Sequence, residues 1–385
     1  MKQKMTYLCG LAATLLLATA CQNEDTPAGP ETQTASATFH IQTRAGDGTH
    51  QTALYIAERK KENAQDELYC SDRQEITGET YTLTDMTAQW YKLAFISVPN
   101  EITLPDIPAD KAFNDLLLDY SPVLDQAQTP SQGENDDLAI YRVIKDRWLM
   151  PGETLTEDAE LTRITGQLVL DMGILNDQFA GQVTQIEVTL ADVPYRVYLR
   201  DNANGKIIYP EADEGAASQD EGDDTPQPEE PITYERKDFT YTFSINQTQW
   251  ESRNNFKMYF NLLPFTVTGQ KLEDDPASGM PQASGCTVAI TRCEDNQIVP
   301  ADGTAYETVT ETYPLIDGTS GSIGIQANTR TTLRFNGLED NEFVVRYDNF
   351  EDKNNGIGVA DDEWNGWNPP ATGGDSSGNG NDQQP

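Results

Sequence analysis

The groups most able to do chemistry in this chain are its carboxylates. The 385 residues carry 63 Asp and Glu against 26 Lys and Arg, a net charge of −37. Acids sit side by side in "ENDD" (134–137) and "ADDEW" (360–364). Two carboxyls hydrolyse a glycosidic bond only when a shaped cleft holds them a set distance apart. So acid-rich a chain makes such neighbours by chance, so neither pair marks a catalytic site, and the chain reads as a non-enzyme. "DNANGK" (201–206) and "DNFEDKNNG" (348–356) offer oxygen ligands, but neither keeps the D-x-[DN]-x-[DN]-G spacing of a calcium loop. Turn chemistry accounts for both. The only histidines are His40 and His50, which argues against His-based triads and multi-histidine zinc sites. Of five cysteines, none forms a C-x-x-C pair. Cys286 and Cys293 are spaced to bridge a tight hairpin or to stay as free thiols, with Cys70 left over. No metal or cofactor is expected, and the acidic surface argues against a nucleic-acid partner.

Cys21 has a different chemistry in prospect. Lys2 and Lys4 precede the uncharged run "MTYLCGLAATLLLATA" (5–20), which is short for a membrane span and suits a signal peptide over residues 1–20. Ala18, Thr19 and Ala20 then lead into Cys21. This resembles the bacterial lipobox, with Ala18 where Leu is usual, and implies a lipid on Cys21 as the first mature residue. Glu24 and Asp25 resemble the export signal that sends such lipoproteins to the cell surface. The alternative is a plain signal peptide cut before a structural cysteine. Residues 21–35 are polar with two prolines and read as a flexible tether.

Beyond the tether, alternation of apolar and polar residues takes over. In "ATFHIQT" (37–43), Ala37, Phe39 and Ile41 share one face and His40 lies on the other. Further strands are expected at 52–58, 81–85, 91–98, 161–172, 183–193, 238–247, 256–265, 286–293, 322–327, 331–338 and 343–350. "DKAFNDLLLDY" (110–120) spaces Phe113, Leu116, Leu117 and Tyr120 like one face of a short helix. Residues 210–231 are acidic, rich in Pro and Gly, and read as a disordered insertion. The tail 369–385 is low-complexity. So many strands with so little helix predict an all-β protein. Two antiparallel β-sandwich domains in tandem are expected, over 36–157 and 158–368. Trp364 and Trp367 in "DEWNGWNPP" either pack a last strand or offer exposed aromatics to a sugar or a protein.

A lipobox followed by "ATFHIQTRAGDGT", "LTRITGQLVL" and "VTQIEVTLADV" resembles the fimbrillin-like and fimbrial-anchor lipoproteins of Bacteroidales. The resemblance spans Cys21 to about Trp367. It implies two transthyretin-like sandwiches, a place on the outer membrane or in a fimbrium, and partners among other fimbrial subunits, with adhesion ligands on host or bacterial surfaces. It also implies that an arginine-specific protease removes the first strand, and that a neighbour's C-terminal segment fills the groove by β-augmentation. Carried onto this sequence, the scissile bond is Arg44–Ala45, the removable strand is 37–43, and the donor segment lies within 351–368, with Trp364 and Trp367 as partner contacts. The long tail departs from a subunit that ends at its donor strand. An uncut chain would keep its lipid and act as an anchor. Two alternatives stay open: "RAGDGT" as a mere hairpin turn on Asp47–Gly48, and a surface glycan-binding lipoprotein.

Overall fold

The computed structural model describes residues 34–42, 48–59, 68–107, 112–125, 136–201, 206–212, 234–269, 281–294, 297–300, 304–336 and 343–349. Expectations for Cys21, Arg44, Ala45, Trp364, Trp367, the acidic insertion and the tail lie outside these residues, apart from 210–212 at the start of the insertion.

The strands, in chain order, are β1 (Ala35–Gln42), β2 (His50–Arg59), β3 (Leu68–Ile76), β4 (Thr80–Met86), β5 (Trp90–Pro99), β6 (Leu117–Asp119) and β7 (Tyr141–Trp148). They continue with β8 (Thr154–Glu160), β9 (Thr162–Arg163), β10 (Gly166–Asp171), β11 (Val183–Pro194), β12 (Arg196–Tyr198), β13 (Arg236–Ser244) and β14 (Lys257–Leu262). The last are β15 (Phe265–Thr268), β16 (Gln282–Ser284), β17 (Thr287–Cys293), β18 (Thr308–Pro314), β19 (Ser322–Ile325), β20 (Thr329–Phe335) and β21 (Phe343–Asn349). The α-helices described are single turns, α1 (Ser121–Leu124), α2 (Leu175–Gln178) and α3 (Gln247–Glu251). The fold is all-β.

Two sandwiches follow one another along the chain. In the first, the sheet β4-β1-β8 faces the sheet β3-β2-β5-β7-β9. Ala37, Phe39, Ile41, Leu83 and Ala159 meet Leu54, Ile56, Leu93, Phe95 and Tyr141 in one apolar cluster. In the second, β14-β10-β20-β21 faces β13-β11-β17-β18. Its interior is rich in aromatics: Phe260 lies 5.1 Å from Tyr241, and Phe335 lies 5.2 Å from Tyr313. The expected division near residue 157 falls inside β8, whose whole length pairs with β1.

The middle of the five-stranded sheet, β2 and β5, is buried on both faces. Its outer face (Ala53, Tyr55, Ala94, Ile96, Val98) lies under Leu104, Phe113 and Leu118 and is continuous with the second interior. That explains the unbroken burial of Leu93 to Pro99 in β5, since a strand covered on both sides has no solvent face. The pair β6–β12 and Arg142 tie the halves together. The Arg142 guanidinium donates to the carbonyls of Tyr198 (3.0 Å) and Leu199 (2.8 Å) and pairs with Asp201. Burial works against charge on both groups, lowering the Arg142 pKa and raising that of Asp201, so each keeps its charge through the other.

Two expectations are corrected. The described part of 110–120 is not an α-helix: a 3-10 turn at Phe113–Asp115 precedes β6. Leu116, Leu118 and Tyr120 are the buried set, a period of two hidden in the sequence by the half-exposed Leu117. Residues 161–172 form two strands, because the chain turns into the second sandwich at Ile164–Thr165. A Cβ on Gly166 would stand 2.5 Å from the Gln326 carbonyl oxygen, so only glycine fits there. Of the two readings open for Cys286 and Cys293, the structure has the free thiols: Cys286 precedes β17 and Cys293 ends it, with no hairpin between them. Both are free and buried, as is Cys70.

Candidate functional site: the first strand and its slot

Strand β1 occupies the middle of its sheet. It runs antiparallel to β4, with Phe39 opposite Tyr81, and parallel to β8, with Phe39 opposite Glu157. Both of its edges are therefore hydrogen-bonded, as the alternation alone could not reveal. At its start the Gly152 N–H donates to the Thr34 carbonyl (3.2 Å) and the Ser36 N–H to the Glu153 carbonyl (2.8 Å). At its end the Ile41 N–H donates to the Glu79 carbonyl (2.7 Å), and the Gln42 carbonyl accepts from Leu161 (2.8 Å).

The two faces of β1 divide as the sequence predicts. Ala37 and Phe39 are fully buried and Ile41 nearly so. The Phe39 ring lies 5.0 Å from that of Phe95 at 59°. Burying side chains of the size of Phe39 and Ile41 stabilises by about 1.5–3 kcal/mol each. On the solvent face the hydroxyls of Thr38 and Thr82 lie 3.1 Å apart, and His40 Nδ1 approaches the Thr80 hydroxyl at 3.4 Å. His40 is exposed.

Strands β1 and β2 belong to different sheets and do not pair with each other. Residues 43–47, which hold Arg44 and Ala45, therefore connect one sheet to the other. The described strands on either side of "RAGDGT" are not paired neighbours, as the two strands of a hairpin are; residues 44–47 themselves lie outside the described residues. The ends of the connection, Gln42 and Gly48, both line a cleft of about 830 Å³ with His40, His50, Glu75 and Glu79. His50 Nε2 donates to the Ala139 carbonyl (2.8 Å), and its Nδ1 lies 3.1 Å from the Thr49 hydroxyl, which also stands 3.3 Å from Asp137 Oδ1. Burial lowers the His50 pKa and favours the neutral ring.

Among the described strands each wall of the slot pairs with β1 alone, and each has one attachment besides. β4 continues through a tight turn into β5 of the opposite sheet. β8 is fastened by Glu157, which points between the sheets. Its carboxylate accepts from Lys145 Nζ (2.8 Å) and Arg147 Nε (2.5 Å) of β7. The Arg147 guanidinium and the Lys145 ammonium hold the Glu157 pKa down to about 2. Sequence reasoning missed β8, whose acid-rich "TLTEDAE" buries only Ala159. Among the described residues no cluster of three or more His, Cys, Asp or Glu side chains could hold a metal. The site is built to hold a strand by backbone hydrogen bonds and apolar contacts.

Neither a protein-family model nor a curated protein matches the chain. Solved structures do resemble it. A candidate adhesin from Bacteroides thetaiotaomicron is 11% identical with a TM-score of 0.40, over 82% of this chain and 96% of that one. The tip fimbrial protein Mfa3 from Porphyromonas gingivalis, truncated at its C-terminus, is 12% identical with a TM-score of 0.38, over 81% and 98%. A candidate cell adhesion protein from Bacteroides uniformis is 12% identical with a TM-score of 0.37, over 83% and 99%.

Proposed function

We propose that this protein is a surface fimbrial subunit or anchor. It is exported as a lipoprotein on Cys21, held at the outer membrane, and joined to other subunits by exchange of a strand. Its action is association rather than catalysis, in support of adhesion. The observation that carries this reading is the placement of β1. The first of the described strands fills the centre of a sheet, buries alternate side chains, and leads onward only through residues 43–47. One cut there would free both of its edges and its apolar slot at once, while β4 and β8 keep their own attachments. An incoming strand with small or apolar residues at alternate positions would regain those bonds.

Mass spectrometry of the mature N-terminus on cells tests the reading. A start at Ala45, abolished by Arg44→Ala, supports an assembling subunit. A lipidated Cys21 with β1 retained supports an anchor. A mature chain that carries neither overturns both.

A further inference from the structure

One pole of the first sandwich carries exposed apolar side chains. At the end of β7 and in the turn that follows, Trp148 is 63% exposed and Met150 is 61% exposed. Half-buried Met86 and Trp90 lie at the same pole, with Trp90 directly opposite Trp148 across β5 and β7. This pole is also where the chain arrives from Cys21, since Gly152 of the same turn donates to Thr34 and Glu153 accepts from Ser36. The link to the second sandwich, Arg163 to Gly166, leaves from the opposite end of β1, beside Gln42. The apolar pole is therefore the end of the first sandwich that faces the tether.

We propose that this pole rests on the lipid surface, with Trp148 and Met150 entering the interface between headgroups and acyl chains. The proposal rests on the reading that Cys21 carries a lipid. Residues 21–34 reach at most about 50 Å when extended and on the order of 20 Å as a coil. A tether of that length turns a weak contact into an intramolecular one at an effective concentration on the order of millimolar. Tryptophan is the side chain best suited to such an interface, with a large apolar ring and one N–H for the wet side. The charged residues that flank Trp148 and Met150 in sequence have protein partners. Lys92 pairs with Asp146 (2.9 Å), Arg147 with Glu157, and the Glu153 carboxylate accepts from the Met150 N–H (2.7 Å). The turn is closed by the Glu153 N–H on the Met150 carbonyl (3.1 Å), with Gly152 at φ +74°. Trp148 and Met150 are therefore presented by a fixed frame.

The test uses residues 21–385 coupled through Cys21 to a maleimide phospholipid in phosphatidylcholine vesicles. Cys70, Cys286 and Cys293 are buried and are spared by the reagent. Tryptophan fluorescence is read with brominated acyl chains. Quenching is expected in the wild type, a clear loss of it in Trp148→Ser, and a partial loss in Met150→Ser. Equal quenching in wild type and Trp148→Ser overturns the proposal and leaves the anchor reading standing. Shielding of Trp148 from an aqueous quencher by soluble oligosaccharides, and not by vesicles, would also overturn it and make the pole a glycan platform. Because the tether is supplied chemically, a mature chain without lipid in cells is a separate failure, that of the anchor reading, and it removes this proposal with it.

Discussion

Phe39 of β1 and Phe95 of β5 meet 5.0 Å apart across the two sheets of the first sandwich, and both are fully buried. This contact joins the strand proposed to leave to the sheet that stays. Phe39→Ala should destabilise the uncut chain by about 3–5 kcal/mol, the range for losing a buried phenyl ring. Thr38→Ala, one residue away on the solvent face, should change stability by less than about 0.5 kcal/mol. Urea unfolding of the two variants checks the contrast, and similar losses in both would mean that β1 is not seated as described.

Glu157 makes the fastening of β8 sensitive to acid. Its folded pKa is depressed from 4.5 to about 2. A depressed carboxyl contributes stability that is fully present above its unfolded pKa and is lost as pH falls through the folded value. The stability difference between wild type and Glu157→Gln should stay flat above about pH 5 and shrink as pH falls toward 2. His50 titrates in both proteins, so its own acid effect cancels in the difference. A difference that grows on acidification would contradict the ion pair.

Arg142 is buried, and Tyr198, Leu199 and Asp201 depend on it for partners. Replacement by Met should cost about 3–5 kcal/mol, because it strands a carboxylate and two carbonyls in a poorly hydrated place. Lys cannot reach the same set with a single ammonium, so Arg142→Lys should recover little of the loss. Thermal unfolding and hydrogen exchange of residues 198–201 read both effects.

The three thiols among the described residues should be inert. Burial pushes Cys70 and Cys286 up to about 12, far from thiolate at neutral pH. Labelling by a water-soluble disulfide reagent should leave all three untouched in the native protein and reach them in denaturant. Reductant should not shift the melting temperature.

The sequence discloses those strands whose two faces differ in environment. β1, β11 and β13 each bury one face, and their alternation is plain to read. β3 and β8 were hidden because edge strands bury few side chains: β3 covers Cys70 and Ile76, and β8 covers Ala159. Yet β8 is one wall of the slot. The apolar face of the site was therefore legible, while its central position was not, because that depends on pairing with residues more than a hundred positions away. Arg142–Asp201 was equally invisible, for nothing local distinguishes a buried guanidinium from the many at the surface. Trp148 drew no notice beside Trp364 and Trp367, since it ends a strand whose other members look ordinary.

The sheet that holds β1 has a twin. β10 also lies between an antiparallel neighbour, β14, and a parallel one, β20, as β1 lies between β4 and β8. The two strands are equals in geometry and unequal in covalent freedom. β10 is threaded through the chain at both ends, so two breaks would be needed to extract it. β1 precedes every other strand described, so one break suffices. A duplicated architecture can thus carry one permanent keystone and one removable one, with the difference set by where each falls along the polypeptide.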